Sequence, residues 1–192
     1  MYECQRCCSV EAYIHFGSEM EKEVLCIGCY NAMMTEVLGV KVESYPEGVS
    51  IRDAYGMVRY FSIKKRLHSG GISMVAEEFK SFGYRFAVHG KLECDQGQLF
   101  LQLIDKAERA MMESFIQEGR FPNGQRYYSL KKDRLVGIVE SNREEDGTPV
   151  LIVDGKPFTW EEIGKLLMSY EGFQLKVEAV DISDEIEWID EE

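Results

Sequence analysis

The stretch Cys4-Gln5-Arg6-Cys7-Cys8, followed by Ala12-Tyr13-Ile14-His15-Phe16 and closed by Leu25-Cys26-Ile27-Gly28-Cys29, decides how the chain begins to fold. It holds five of the six cysteines, four of them in two Cys-x2-Cys pairs separated by 18 residues. A disulfide framework spreads its cysteines over a secreted fold, whereas paired cysteines at this spacing read as a zinc site. Two thiolates three positions apart on a tight turn point onto one ion. Two such turns complete a tetrahedron with Zn–S bonds of about 2.3 Å. Cys4, Cys7, Cys26 and Cys29 are therefore the predicted ligands of a Zn2+ ion. Four protein ligands leave no position for water, so the predicted site is structural rather than catalytic. Thiols grouped in this way also predict a reducing compartment, the cytoplasm.

Working outward, Glu11–Phe16 and Glu23–Leu25 are short β-prone runs around the polar residues Gly17–Lys22, the pattern of a hairpin. The second cysteine pair opens a helical pattern that runs to Leu38 and stops at Gly39. A knuckle, a hairpin and a helix whose first turn carries two ligands make a treble clef, and the helix N-terminus favours thiolates there. The residues Cys4-Gln5-Arg6-Cys7, Ala12 to Phe16 and Leu25 to Cys29 resemble the N-terminal zinc module of bacterial McsA-type proteins, the protein arginine kinase activators. The resemblance spans about the first 35 residues and implies zinc binding and protein contacts. Two features depart from it. Cys8 stands where such knuckles usually have Gly, which makes it a competitor of Cys7, and the later helical segment of that family is not evident. His15 is an unneeded fifth donor, and Cys94, between Glu93 and Asp95, reads as a semi-buried free thiol whose acidic neighbours raise its pKa.

Beyond the module, Tyr45-Pro46-Glu47-Gly48 reads as a linker, dividing the chain into a zinc module at 1–45 and an α+β domain at 46–192, with a sub-boundary near 131. Met57–Leu67, Ile72–Phe79 and Tyr84–Leu92 alternate and predict a three-stranded antiparallel meander. Gln98–Gln117 predicts a long helix with Leu99, Leu103, Ala107, Ala110, Met111 and Ser114 on one stripe. Leu135–Glu140 and Pro149–Val153 predict strands, and Asp154-Gly155 a tight hairpin turn into Lys156-Pro157-Phe158. Thr159-Trp160-Glu161-Glu162 is a capping box that opens a helix ending at Gly172, and Phe173–Val180 alternates as a final strand. The segments Val153–Glu162 and Tyr170–Leu175 resemble an uncharacterised bacterial domain family that follows zinc modules, which implies a fold and no activity. The predicted class is α+β: a treble-clef zinc module followed by an antiparallel-sheet α+β domain.

The 192 residues are 45% hydrophobic and 29% charged, an ordinary globular composition with enough apolar material for a core. No apolar run approaches the roughly 18 residues of a membrane span, and Met1-Tyr2-Glu3-Cys4 has neither a basic start nor an apolar segment, which predicts neither insertion nor secretion. The net charge of −12 is uneven: −4 over residues 1–45, +4 over 46–135 and −12 over 136–192. Only the middle segment suits a polyanion. The acidic run from Asp181 to Glu192 reads as a solvated end. His68 beside Lys64, Lys65 and Arg66 is a candidate phosphate contact, with a solvated strand end as the simpler reading. His89 reads as structural. No His-x-x-x-His unit, phosphate loop or nucleophile turn stands in the chain. Asp154 and Glu161 are already accounted for by the turn and the cap. These readings predict a non-enzymatic zinc-containing adaptor with a protein partner. The alternative is a nucleic-acid-binding regulator using the module and the basic residues of 59–66, and the third reading is an enzyme with a site in the second domain that leaves no motif.

Overall fold

The computed structural model describes residues 2–9, 12–18, 21–142 and 147–188. Glu11 of the first predicted strand, part of the predicted hairpin turn, and Asp190, Glu191 and Glu192 of the predicted tail lie outside these residues. The architecture is α+β. Strands β1 (Ile14–Ser18) and β2 (Glu21–Leu25) form the predicted hairpin, with Ile14 opposite Leu25. Helix α1 (Ile27–Leu38) starts from an extended Cys26 and ends at Gly39, whose φ of 69° is the left-handed turn that glycine adopts without strain.

Four strands follow: β3 (Gly48–Arg52), β4 (Val58–His68), β5 (Gly71–Glu78) and β6 (Arg85–Gly90), antiparallel in the order 3-4-5-6. The first of them is not among the strands expected from the sequence beyond the module, which begin at Met57. The Pro46-Glu47-Gly48 turn signal ends one residue into the strand, and Val49 and Ile51 give too short an alternation to stand out. Helix α2 (Gln96–Met112) covers one face of this sheet, with Leu99, Leu103, Ala107 and Met111 buried against Phe61, Ile63, Leu67 and Met74. Cys4, Ala12, Ile14, Leu25, Tyr30 and Met34 belong to the same apolar cluster, so the cysteine-bearing module and the sheet share one core.

The module is fastened to the sheet at the free edge of β4. Strand β3 pairs with β4 only as far as Ser62. Beyond it, the buried Asn31 of α1 takes the place of a neighbouring strand: its amide nitrogen donates to the Lys65 carbonyl at 2.7 Å and its oxygen accepts from Leu67 N–H at 3.0 Å. One planar amide thus reproduces a rung of the ladder. Lys65 itself is only 1% exposed and points inward. Its ammonium donates to the Glu43 carbonyl at 3.1 Å and to Gln96 Oε1 at 2.9 Å, and stands 4.6 Å from the centre of the Tyr45 ring. Gln96 also donates to the Lys41 carbonyl, so residues 41–45 are stitched between β4 and the start of α2. Burial without a partner would cost an ammonium several kcal/mol, and these three contacts offset it.

Helix α2 stops earlier than its stripe of apolar residues suggests. Glu113 is extended, and Ser114 and Phe115 lie outside the helix. The Asp154 carboxylate accepts from the backbone N–H groups of Phe115 and Ile116 and from the Ser114 hydroxyl, at 2.9–3.1 Å, and these bonds replace the helical ones. Strands β7 (Ile116–Arg120) and β8 (Arg126–Leu130) then form a hairpin that the predicted helix and loop had hidden. Strands β9 (Ile138–Ser141), β10 (Pro149–Val153) and β11 (Lys156–Phe158) form a three-stranded antiparallel sheet, with Asp154 and Gly155 both at positive φ in the expected tight turn. The capping box opens α3 (Trp160–Leu167) as predicted, with both reciprocal bonds formed. Ile116, Val153, Phe158, Ile163 and Leu166 make a second apolar cluster.

One C-terminal expectation fails. Residues Phe173–Val180 form no strand: Phe173, Leu175 and Val177 are 75%, 67% and 82% exposed. Alternation specifies a face, but a strand also needs a neighbour to bond to. The acidic run beyond keeps its described carboxylates, Asp181, Asp184, Glu185 and Glu187, exposed as expected, but its backbone is held in place. Lys106 of α2 donates to the carbonyls of Ile182 at 3.0 Å and Asp184 at 2.7 Å, Arg109 pairs with Glu185 at 3.3 Å, and Arg134 stacks on Trp188. The segment is a strap laid along α2.

Candidate metal centre

The β1–β2 hairpin and the first turn of α1 bring the two Cys-x2-Cys pairs together. The Sγ atoms of Cys4, Cys7, Cys26 and Cys29 all lie within 4.8 Å of one another, a cluster capable of ligating a metal ion. The knuckle is shaped by the chain itself: Cys8 N–H donates to the Cys4 carbonyl at 2.8 Å, closing the turn between the first pair. Gln5 fixes the knuckle against β2, its N–H donating to the Val24 carbonyl and its Oε1 accepting from Val24 N–H. On the other side, Cys26 caps α1, its sulfur accepting from Cys29 N–H at 3.4 Å.

These dimensions fit a tetrathiolate site. Zn–S bonds of about 2.3 Å in a tetrahedron separate the sulfurs by about 3.8 Å. Cys7 and Cys26 stand 3.6 Å apart. Backbone N–H groups aim at the sulfurs, Cys26 N–H at Cys4 Sγ from 3.3 Å, as they do where a sulfur is to carry negative charge. That bond holds the Cys4 thiol down at about 6, and Cys29 N–H likewise lowers Cys26. The hydrogen bond with Cys7 and burial push Cys29 the other way, up to about 12. Four thiols this close do not all ionise unless a cation sits among them, and a divalent ion supplies that charge.

The remaining sequence candidates fall outside the cluster. Cys8 is exposed with φ of 61°, in the left-handed conformation its position demands, and is not among the four converging sulfurs. His15 meets the Tyr2 ring edge-on at 5.6 Å. Burial raises the Cys94 thiol, with Asp95 adding to it, in the predicted direction. His68 stacks on His89 at 4.9 Å, and burial lowers its pKa. Most of the basic 59–66 segment is consumed internally. Arg59 bonds the buried Asp53 and Glu78 carboxylates at 3.0 Å each, Lys64 pairs with Glu77, and Lys65 is inside the core. Arg66 is exposed over the Tyr30 ring, and the Lys64 side chain stays 42% exposed in its pair. Spacing along the chain carries no sign of this, because the partners lie 6 to 31 positions away.

Three family models match the chain in succession. A domain of unknown function (DUF7685) covers residues 3–41, a second (DUF7686) residues 43–112, and a third (DUF7713) residues 115–184. No curated protein and no solved structure matches the chain. Among the described residues, no helix is long and apolar enough to cross a membrane.

Proposed function

We propose that the chain is a non-enzymatic cytoplasmic adaptor whose N-terminal module holds one structural Zn2+ ion in Cys4, Cys7, Cys26 and Cys29 and presents a surface to a protein partner. The convergence of the four sulfurs carries this reading. A closed tetrathiolate has no open position for water or substrate, so its use is to hold shape. Tyr2, Tyr13 and Phe16 stand exposed on the module, and aromatic side chains of this kind anchor protein interfaces. The likeness of the module to the protein arginine kinase activators agrees with a role in protein contacts. We place the functional units at 1–45 and 46–192 and divide the second near Glu113–Ser114, where one apolar cluster ends and the next begins, rather than near 131.

The test is elemental analysis of purified protein together with partner capture from the native organism. The expected outcome is one zinc per chain, lost together with the captured partner in a Cys26→Ser, Cys29→Ser variant. Capture that persists in the metal-free variant, or protein that carries no stoichiometric metal, overturns the proposal.

A further inference from the structure

Four of the exposed cations stand together in one acid-free stretch that no motif marked. Residues 119–132, Gly-Arg-Phe-Pro-Asn-Gly-Gln-Arg-Tyr-Tyr-Ser-Leu-Lys-Lys, carry four basic side chains and no acidic one, in a chain of net charge −12. They form the outer part of the β7–β8 hairpin and its exit, and Arg120, Arg126, Lys131 and Lys132 are all exposed. Two of them touch carboxylates, Arg126 with Glu118 at 3.4 Å and Lys132 with Glu113 at 3.3 Å. Both are surface pairs that contribute little and yield to a competing anion.

The same hairpin carries an aromatic platform. Phe121 and Tyr127 are 48% and 41% exposed, with ring centres 4.6 Å apart. Gly119 lies opposite Tyr127, and a Cβ there would come within 2.3 Å of the tyrosine ring, so the missing side chain is what lets the ring lie across the ribbon. Strand alternation puts Tyr127, Ser129 and Lys131 on this face, while Tyr128, Leu130 and Ile116 face the second core. Lys131 leads on to the exposed Tyr55, its ammonium 5.6 Å from the centre of that ring. The face thus runs from paired aromatic rings, past a lysine, to a third ring, with Arg120 and Arg126 flanking it from the other side of the ribbon.

The geometry points to this face as a binding site for single-stranded nucleic acid, with the cations tracking phosphates and Phe121, Tyr127 and Tyr55 stacking on bases. Cationic side chains combined with exposed π-faces are what a single strand requires. It is a second binding surface, distinct from the metal module, and does not depend on the adaptor reading.

Fluorescence anisotropy with the full chain and a labelled oligothymidylate about 15 nucleotides long tests it. The single strand is expected to bind more tightly than the duplex of the same length. An Arg120→Ala, Arg126→Ala, Lys131→Ala variant should lower the slope of log K against log salt by about 2. A Phe121→Leu, Tyr127→Leu variant, which keeps apolar packing but removes the ring faces, should weaken binding about tenfold and leave that slope unchanged. Absence of saturable binding at about 50 mM salt overturns the inference. So does equal affinity for duplex, or competition by poly-L-glutamate with full binding by the leucine variant, results that identify a general receptor for acidic chains. Unchanged melting temperatures of the variants exclude misfolding as the cause.

Discussion

At the scale of single residues, the most consequential contacts are made by polar groups at positions where the pattern calls for apolar ones. Asp53 is buried at the end of β3. Burial pushes its carboxyl up, but the Met57 N–H, the Arg59 guanidinium and the Tyr55 N–H outweigh that and leave its pKa below the ordinary value. A carboxyl lowered in the folded state stabilises the fold above its unfolded value, about 3.9, and that contribution vanishes as pH falls through the folded value. Asp53→Asn is therefore expected to cost about 3 kcal/mol at neutral pH, since Arg59 is left half-partnered. Its stability should also fall less steeply than that of the parent between about pH 5 and pH 2. Urea unfolding at a series of pH values reads both effects; parallel curves for the two proteins would show that Asp53 has no such role.

At the scale of elements, the sequence was legible wherever local chemistry decides the outcome. The hairpin of the module, α1 with its Cys26 start and Gly39 stop, the Asp154-Gly155 turn and the Thr159–Glu162 box all stand as expected. What was illegible depends on distant partners: β3 needs β4, the end of α2 is set by Asp154 some 40 positions on, and Phe173–Val180 finds no neighbour. The four cysteines of the candidate site were legible from spacing alone, whereas the consumption of Arg59, Lys64 and Lys65 was not. Strand β4 gives the sharpest test of such long-range dependence. Asn31→Leu keeps the bulk of the side chain but leaves the Lys65 carbonyl and the Leu67 N–H unpaired, at about 1–3 kcal/mol each. Equilibrium denaturation should show a loss of about 2–4 kcal/mol. A loss below about 0.5 kcal/mol would mean that water replaces the amide at that edge.

At the scale of the whole molecule, the distribution of the two apolar clusters sets how loss of the proposed metal would spread. The module, the four-stranded sheet and α2 share one cluster, and β9–β11 with α3 form around another. A chelator is therefore expected to do more than loosen the first 40 residues. Hydrogen exchange should accelerate at amides of β4 and α2, while those of β10 and α3 keep their protection. Acceleration confined to the module would show that the sheet holds its edge without Asn31, and uniform acceleration would show that the two clusters unfold as one.

The shared core also bears on how the protein is made. Residues 2–41 are made before residues 96–112, yet Leu25, Tyr30 and Met34 belong to the same apolar cluster as Leu103, Ala107 and Met111. Over translation of the intervening 60 or so codons the nascent knuckle lacks part of the cluster it joins in the folded chain, and the zinc we propose would be what holds it. On the proposed zinc site, metal supply during synthesis is therefore expected to set the yield of folded chain.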